Sequence, residues 1–289
     1  MPTEPAQIAL AFFELCLFLS GVGLALWLLA SAEAQRRWFG TNALPGPPIS
    51  TADFILLAGL VFLTGFAFQA AAQLLLGAII GETTDHKGLA LFVYSVANYT
   101  GALLAWKFMF PSLRRSWQVE PEQQQQPRPT PLPWSRALRY GAATLMVVLP
   151  ILSVVSLTWN FVIQAFDVPV VPQDVVTLFT NTRSPFVIAG MLLVACVLAP
   201  IYEELLFRAG LYRFCRQRLG RGWALLISGA CFGALHGNAA GFLPLAVLGV
   251  ALALVYEATG SIRVAIIAHG LFNLNTVLIL LSGLPELAK

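Results

Sequence analysis

Long apolar runs separated by short polar turns dominate the chain, and their lengths fit helices in a bilayer. A spanning helix needs about 20 mostly apolar residues. Such runs fall near 8–30, 53–80, 88–110, 138–163, 185–203, 222–237, 241–258 and 263–283. The sixth and seventh are short and close together, so about eight spans are expected, with roughly seven as the other count. The pattern predicts an all-α polytopic transmembrane bundle. One segment breaks it: Glu120 to Pro133 holds four consecutive glutamines, Gln123 to Gln126, among prolines, and cannot bury a core. It divides the chain into an N-terminal three-helix membrane region (1–110), a cytoplasmic Gln/Pro-rich linker (111–137) and a C-terminal membrane region (138–289). The candidate chemistry lies in the last of these, within 200–275.

Composition agrees with this pattern. Of the 289 residues, 58% are hydrophobic and 11% charged, against about 25% charged in soluble domains. A water-soluble globule of this make-up would lack a polar coat, and a disordered chain would be far less apolar. The net charge of +3 is small and the basic residues sit in short loops, which argues against nucleic acid as a partner. The four cysteines, Cys16, Cys196, Cys215 and Cys231, form no CxxC pair and read as packing residues. The first run exceeds the ~7–15-residue apolar core of a signal peptide and reads as a retained span.

Basic residues orient the bundle. Arg36, Arg37, Arg114, Arg115, Arg128, Arg136, Arg213, Arg216, Arg218, Arg221 and Arg263 fall in odd-numbered loops, whereas loops two and four hold only Lys87 and Arg183. The positive-inside rule makes the odd loops cytoplasmic and puts both termini outside.

Ionisable groups at membrane depth are costly, so each one in a span prompts a functional reading. His236 closes Phe232-Gly-Ala-Leu-His236, His269 opens His269-Gly-Leu-Phe-Asn273, and the fifth run ends in Pro200-Ile-Tyr-Glu203-Glu204-Leu-Leu-Phe-Arg208. Residues four apart share a helix face, so Glu204 can pair with Arg208, leaving Glu203 rotated by about 100° and free for another task. Counting inward from the arginines at about 1.5 Å per residue puts Glu203, His236 and Asn273 roughly 15, 22 and 15 Å deep, and His269 nearer 9 Å. These groups can converge on one buried site reached from the cytoplasm. Glu203 with His236 makes a water-activating pair, and His269 with Asn273 offers N–H donors for an oxyanion. Hydrolysis of an amide bond is the chemistry suggested. The same atoms permit a second one, since Glu203, His236 and His269 are also a zinc ligand set, although no HExxH motif is present.

Singly, each motif has a plainer reading: carboxylates solvated where a helix emerges, or hydrogen bonds between helices. Three motifs on three spans favour one site. Elsewhere, Gln69, Gln73, Asn98 and Asn160 read as polar contacts between helices, with a pore or substrate path as the other use. Glu14 has no evident partner in the first span, and Glu257 reads as interfacial.

Together, EExxxR at Glu203 to Arg208, FxxxH at Phe232 to His236 and HxxxN at His269 to Asn273 resemble the CAAX protease and bacteriocin-processing family, intramembrane endopeptidases related to the eukaryotic CAAX prenyl endopeptidase. The resemblance covers roughly 185–280. It implies that Glu203 and His236 activate water, that His269 and Asn273 form the oxyanion hole, and that Glu204 and Arg208 support the site. It also implies a metal-independent hydrolase acting on a membrane-associated peptide or protein, in a bacterial plasma membrane. The reading from a different class is a non-catalytic scaffold or bacteriocin-immunity protein that binds a partner through the same polar cluster.

Overall fold

The computed structural model describes residues 4–39, 44, 49–80, 87–116, 132–168 and 184–282. Among them there is no strand. The helices are α1 (Glu4–Ala30), α2 (Ala32–Phe39), α3 (Thr51–Ile80), α4 (Lys87–Ser116), α5 (Trp134–Ala165), α6 (Pro185–Leu219), α7 (Arg221–Leu235), α8 (Ala239–Thr259) and α9 (Ile262–Ser282). Seven are long and apolar enough to cross a membrane, and α7 is a shorter apolar helix. At 15 residues, α7 reaches only about 22 Å, less than the ~30 Å hydrocarbon core. The architecture is the expected polytopic bundle of about eight spans. The outward faces carry large apolar side chains, such as Leu74 at 76% and Phe161 at 75% exposure, as a lipid-facing surface requires. This is an integral, multi-pass membrane protein.

The fifth span differs most from expectation. The apolar run is expected to end near 203, but α6 spans 35 residues, from Pro185 to Leu219. The intended loop after it shrinks to Gly220, whose φ of +81° only glycine adopts without strain. Hydropathy fails here because the polar residues of α6 turn inward: Glu204 and Arg208 are both 0% exposed. The two carboxylates therefore sit at mid-helix and not at its mouth. Ser184 starts α6 by accepting the Val187 N–H, with Pro185 as the first helical residue. The Glu120–Pro133 linker lies outside the described residues up to 131.

Small residues bring the helices close. A Cβ on Gly233 would meet the Phe242 carbonyl oxygen at 2.5 Å, and one on Gly229 the Ala246 oxygen at 2.7 Å, so α7 and α8 touch backbone to backbone. Likewise a Cβ on Gly270 of α9 would lie 2.5 Å from the Cys196 oxygen of α6. Gly270→Ala is expected to force these two helices apart at a cost of about 1–3 kcal/mol, read as a fall in thermal unfolding temperature in detergent. Gly222→Ala, where a Cβ meets nothing within 4 Å, is the matched control and should leave it unchanged.

Described residues that border the odd-numbered loops meet in pairs. Arg218 donates to the Ile49 carbonyl of the first loop. Arg263 donates to Leu132 in the third at 3.3 Å and lies over the Trp134 ring. Glu257, near the end of α8, is 0% exposed, held by Arg216 at 3.0 Å and Arg221 at 2.7 Å. That clamp ties the α6–α7 turn to the end of α8.

Candidate active site

The carboxylates of α6 and the ring of His269 form one buried cluster. Arg208 Nε lies 3.1 Å from Glu204 Oε2, the pairing expected four residues apart. The other oxygen, Glu204 Oε1, accepts from His269 Nδ1 at 2.9 Å. His269 Nε2 then stands 3.8 Å from Glu203 Oε2. The imidazole of α9 is thus held between two consecutive carboxylates of α6. A further guanidinium N–H of Arg208 goes to the Gly249 carbonyl of α8 at 3.0 Å. Burying these charges is costly unless each is paired, and Glu204 meets both a guanidinium and an imidazole.

Glu203 is less committed than its neighbour. Its side chain is 13% exposed, and its buried Oε2 has no hydrogen-bond donor among the described residues. His236 sits where α7 stops, just before Gly237 turns the chain at φ +59°. Its Nδ1 lies 2.8 Å from the Phe232 carbonyl. A carbonyl only accepts, so Nδ1 carries the hydrogen and Nε2 of the neutral ring is the proton acceptor.

Phe232 has a place that sequence reasoning did not assign. Fully buried, its ring lies under the Arg208 guanidinium, 4.5 Å from centroid to Cζ. It meets the rings of His236 and His269 edge-to-face at 5.0 and 5.4 Å. One aromatic thereby sets the spacing of both imidazoles and caps the cation. No pattern in the sequence singles it out beyond its position four residues before His236.

Asn273, one turn beyond His269, is held to the backbone of α6. Its Nδ2 donates to the Ala195 carbonyl at 2.7 Å. That carbonyl is available for a local reason. Residues 194–198 of α6 form wider turns in which the N–H of Ala199 reaches back five residues to Val194. In the same pattern the Ala195 oxygen would take its bond from residue 200, and Pro200 has no N–H to give. The Asn273 amide fills the gap, while Gly270 permits the close approach.

A cavity of ≈ 370 Å³ borders Glu203 and His236. Besides Tyr202 and Leu235, its remaining walls are α3 and α4, so the N-terminal helices take part in the site's surroundings. Among the described residues no three His, Cys, Asp or Glu side chains converge as a metal-holding group. No step below is routed through a metal.

The fold and this cluster define a multi-pass membrane protein with two adjacent carboxylates and a buried histidine, His269, set between its C-terminal helices. Residues 185–275 match the family model described as Rce1-like, type II CAAX prenyl endopeptidase, in agreement with the three motifs. The match supports a CAAX-type protease, a hydrolase, for this part of the chain. Neither a curated protein nor a solved structure matches the sequence.

Proposed function

We propose that the protein is an intramembrane endopeptidase in which Glu203, assisted by His236, activates water against a peptide bond of a membrane-associated protein or peptide. The observation that carries this reading is that Glu203 and His236 border one cavity, with a Glu203 oxygen free of any donor among the described residues. A carboxylate with an uncommitted lone pair can take a proton, and the Nε2 of His236 can orient the same water.

As the water oxygen bonds to the carbonyl carbon, its proton moves to Glu203 and the carbonyl electron pair moves onto oxygen. Collapse of this intermediate breaks the C–N bond, and the proton passes from Glu203 to the departing nitrogen. Water and amide thus become a carboxylic acid and an amine. Asn273 keeps one N–H beyond its bond to Ala195, and in this reading Asn273 and the His269 ring are the groups that hold the oxyanion. Glu204 and Arg208 fix the His269 ring. In this reading residues 138–289 are the protease unit, and the site opens toward the arginine-rich, cytoplasmic end, with both termini outside.

The test compares peptides in membranes of cells carrying wild-type protein or Glu203→Ala at equal levels. Uncleaved precursors are expected to accumulate with the variant. Identical peptide populations for wild type, Glu203→Ala and His236→Ala would instead leave a non-catalytic scaffold or immunity protein.

A further inference from the structure

The cavity beside Glu203 is walled by two materials. Most of its α3–α4 side is apolar, with Phe62 and Phe66. Its polar groups are Ser95 and Tyr99 of α4 and an amide pair, Gln69 on α3 and Asn98 on α4, joined by Asn98 Nδ2 donating to Gln69 Oε1 at 3.2 Å. A primary amide has two donors and an acceptor with two lone pairs. This one bond leaves the Asn98 oxygen and both N–H groups of Gln69 uncommitted among the described residues. Contact between helices alone needs no such surplus.

A protease acting at membrane depth has a particular problem. Peptide bonds in a helix are shielded by neighbouring turns, so the segment to be cut must be extended for water to reach its carbonyl. Once extended, its N–H and C=O groups lose their helical partners in a medium that offers none. They must be met by the enzyme.

Resting on the protease reading above, we infer that Gln69 and Asn98 bind the backbone of an extended peptide substrate beside the scissile bond. The Asn98 oxygen accepts a substrate N–H and the Gln69 amide donates to a substrate carbonyl. Apolar substrate side chains pack on Phe62 and Phe66. The cavity volume of ≈ 370 Å³ falls in the range of about 300–1,000 Å³ usual for ligand sites. Specificity of this wall is for backbone conformation more than for side chains. The α3–α4 pair, outside the segment that matches the family model, is thus a substrate-holding element.

The experiment uses the full chain in lipid nanodiscs with a series of internally quenched apolar peptides, with and without a prenylated cysteine near the C-terminus. Each is also offered to Glu203→Ala. For a peptide cut by wild type alone, Gln69→Leu and Asn98→Leu are each expected to raise KM about three- to tenfold, with kcat within about twofold. Methylating single backbone nitrogens of the peptide probes the same contact on wild-type protein, with no variant to fold. One methyl position is expected to raise KM by a similar factor in wild type and to add nothing in Asn98→Leu. Cleavage that needs Glu203 but ignores both substitutions and every backbone methyl overturns the inference and leaves the protease reading standing. Absence of Glu203-dependent cleavage across the series overturns both.

Discussion

Glu203→Gln is expected to lower kcat by about 10²–10⁴-fold, the range over which a positioned proton acceptor contributes. Glutamine keeps the shape of the side chain and its contact with the cavity but cannot take the proton. KM should move little, because the α3 and α4 wall of the cavity is untouched. Thermal unfolding should also move little, because the neighbouring ion pair and the His269 bond to Glu204 remain in place. The decisive measurement is kcat and KM for one cleaved peptide, with unfolding in detergent as the control for the fold. A variant retaining more than about a tenth of wild-type kcat would remove Glu203 from the chemistry.

The second large effect falls on stability. Arg208→Met is expected to cost about 3–5 kcal/mol, the usual penalty when one member of a buried pair is removed. Glu204 would stay fully buried with only His269 as a partner, and the Gly249 carbonyl would lose its extra donor. Adding Glu204→Gln should restore part of that loss, since the uncompensated carboxylate is what makes the single substitution severe. Unfolding of the two single variants and the double variant forms a thermodynamic cycle. Strict additivity would mean that the 3.1 Å pair has no energetic role.

Local relations were legible in the sequence. Helical periodicity alone paired Glu204 with Arg208, and run length alone gave a bundle of about eight helices. The alternation of basic loops agrees with the way Arg218 meets Ile49 and Arg263 meets Leu132. Relations between helices were not legible, because nothing in one span's pattern records its angle to another. His269 had to be seen against Glu204 to be understood as a ring held between two carboxylates. The place of Glu257 near a span end is legible, but its complete burial under two arginines from a different turn is not. The extent of α6 was missed for a related reason. A hydropathy window ends the span at Glu203, Glu204 and Arg208, and packing shows that Glu204 and Arg208 face inward along a helix that goes on past them. The share of α3 and α4 in the cavity could be read in advance only as one of two uses for Gln69 and Asn98.

The missing N–H of Pro200 bears on how the protein is made. Helices enter the bilayer in chain order, so α6 arrives well ahead of α9. Until Asn273, 78 residues later, reaches it, the Ala195 carbonyl lacks its partner, and Glu204 lacks its imidazole. A nascent chain halted after α6 would therefore hold an unsatisfied polar seam in lipid. Arrival of α9 is the event that both seals that seam and completes the buried cluster of Glu204, Arg208 and His269.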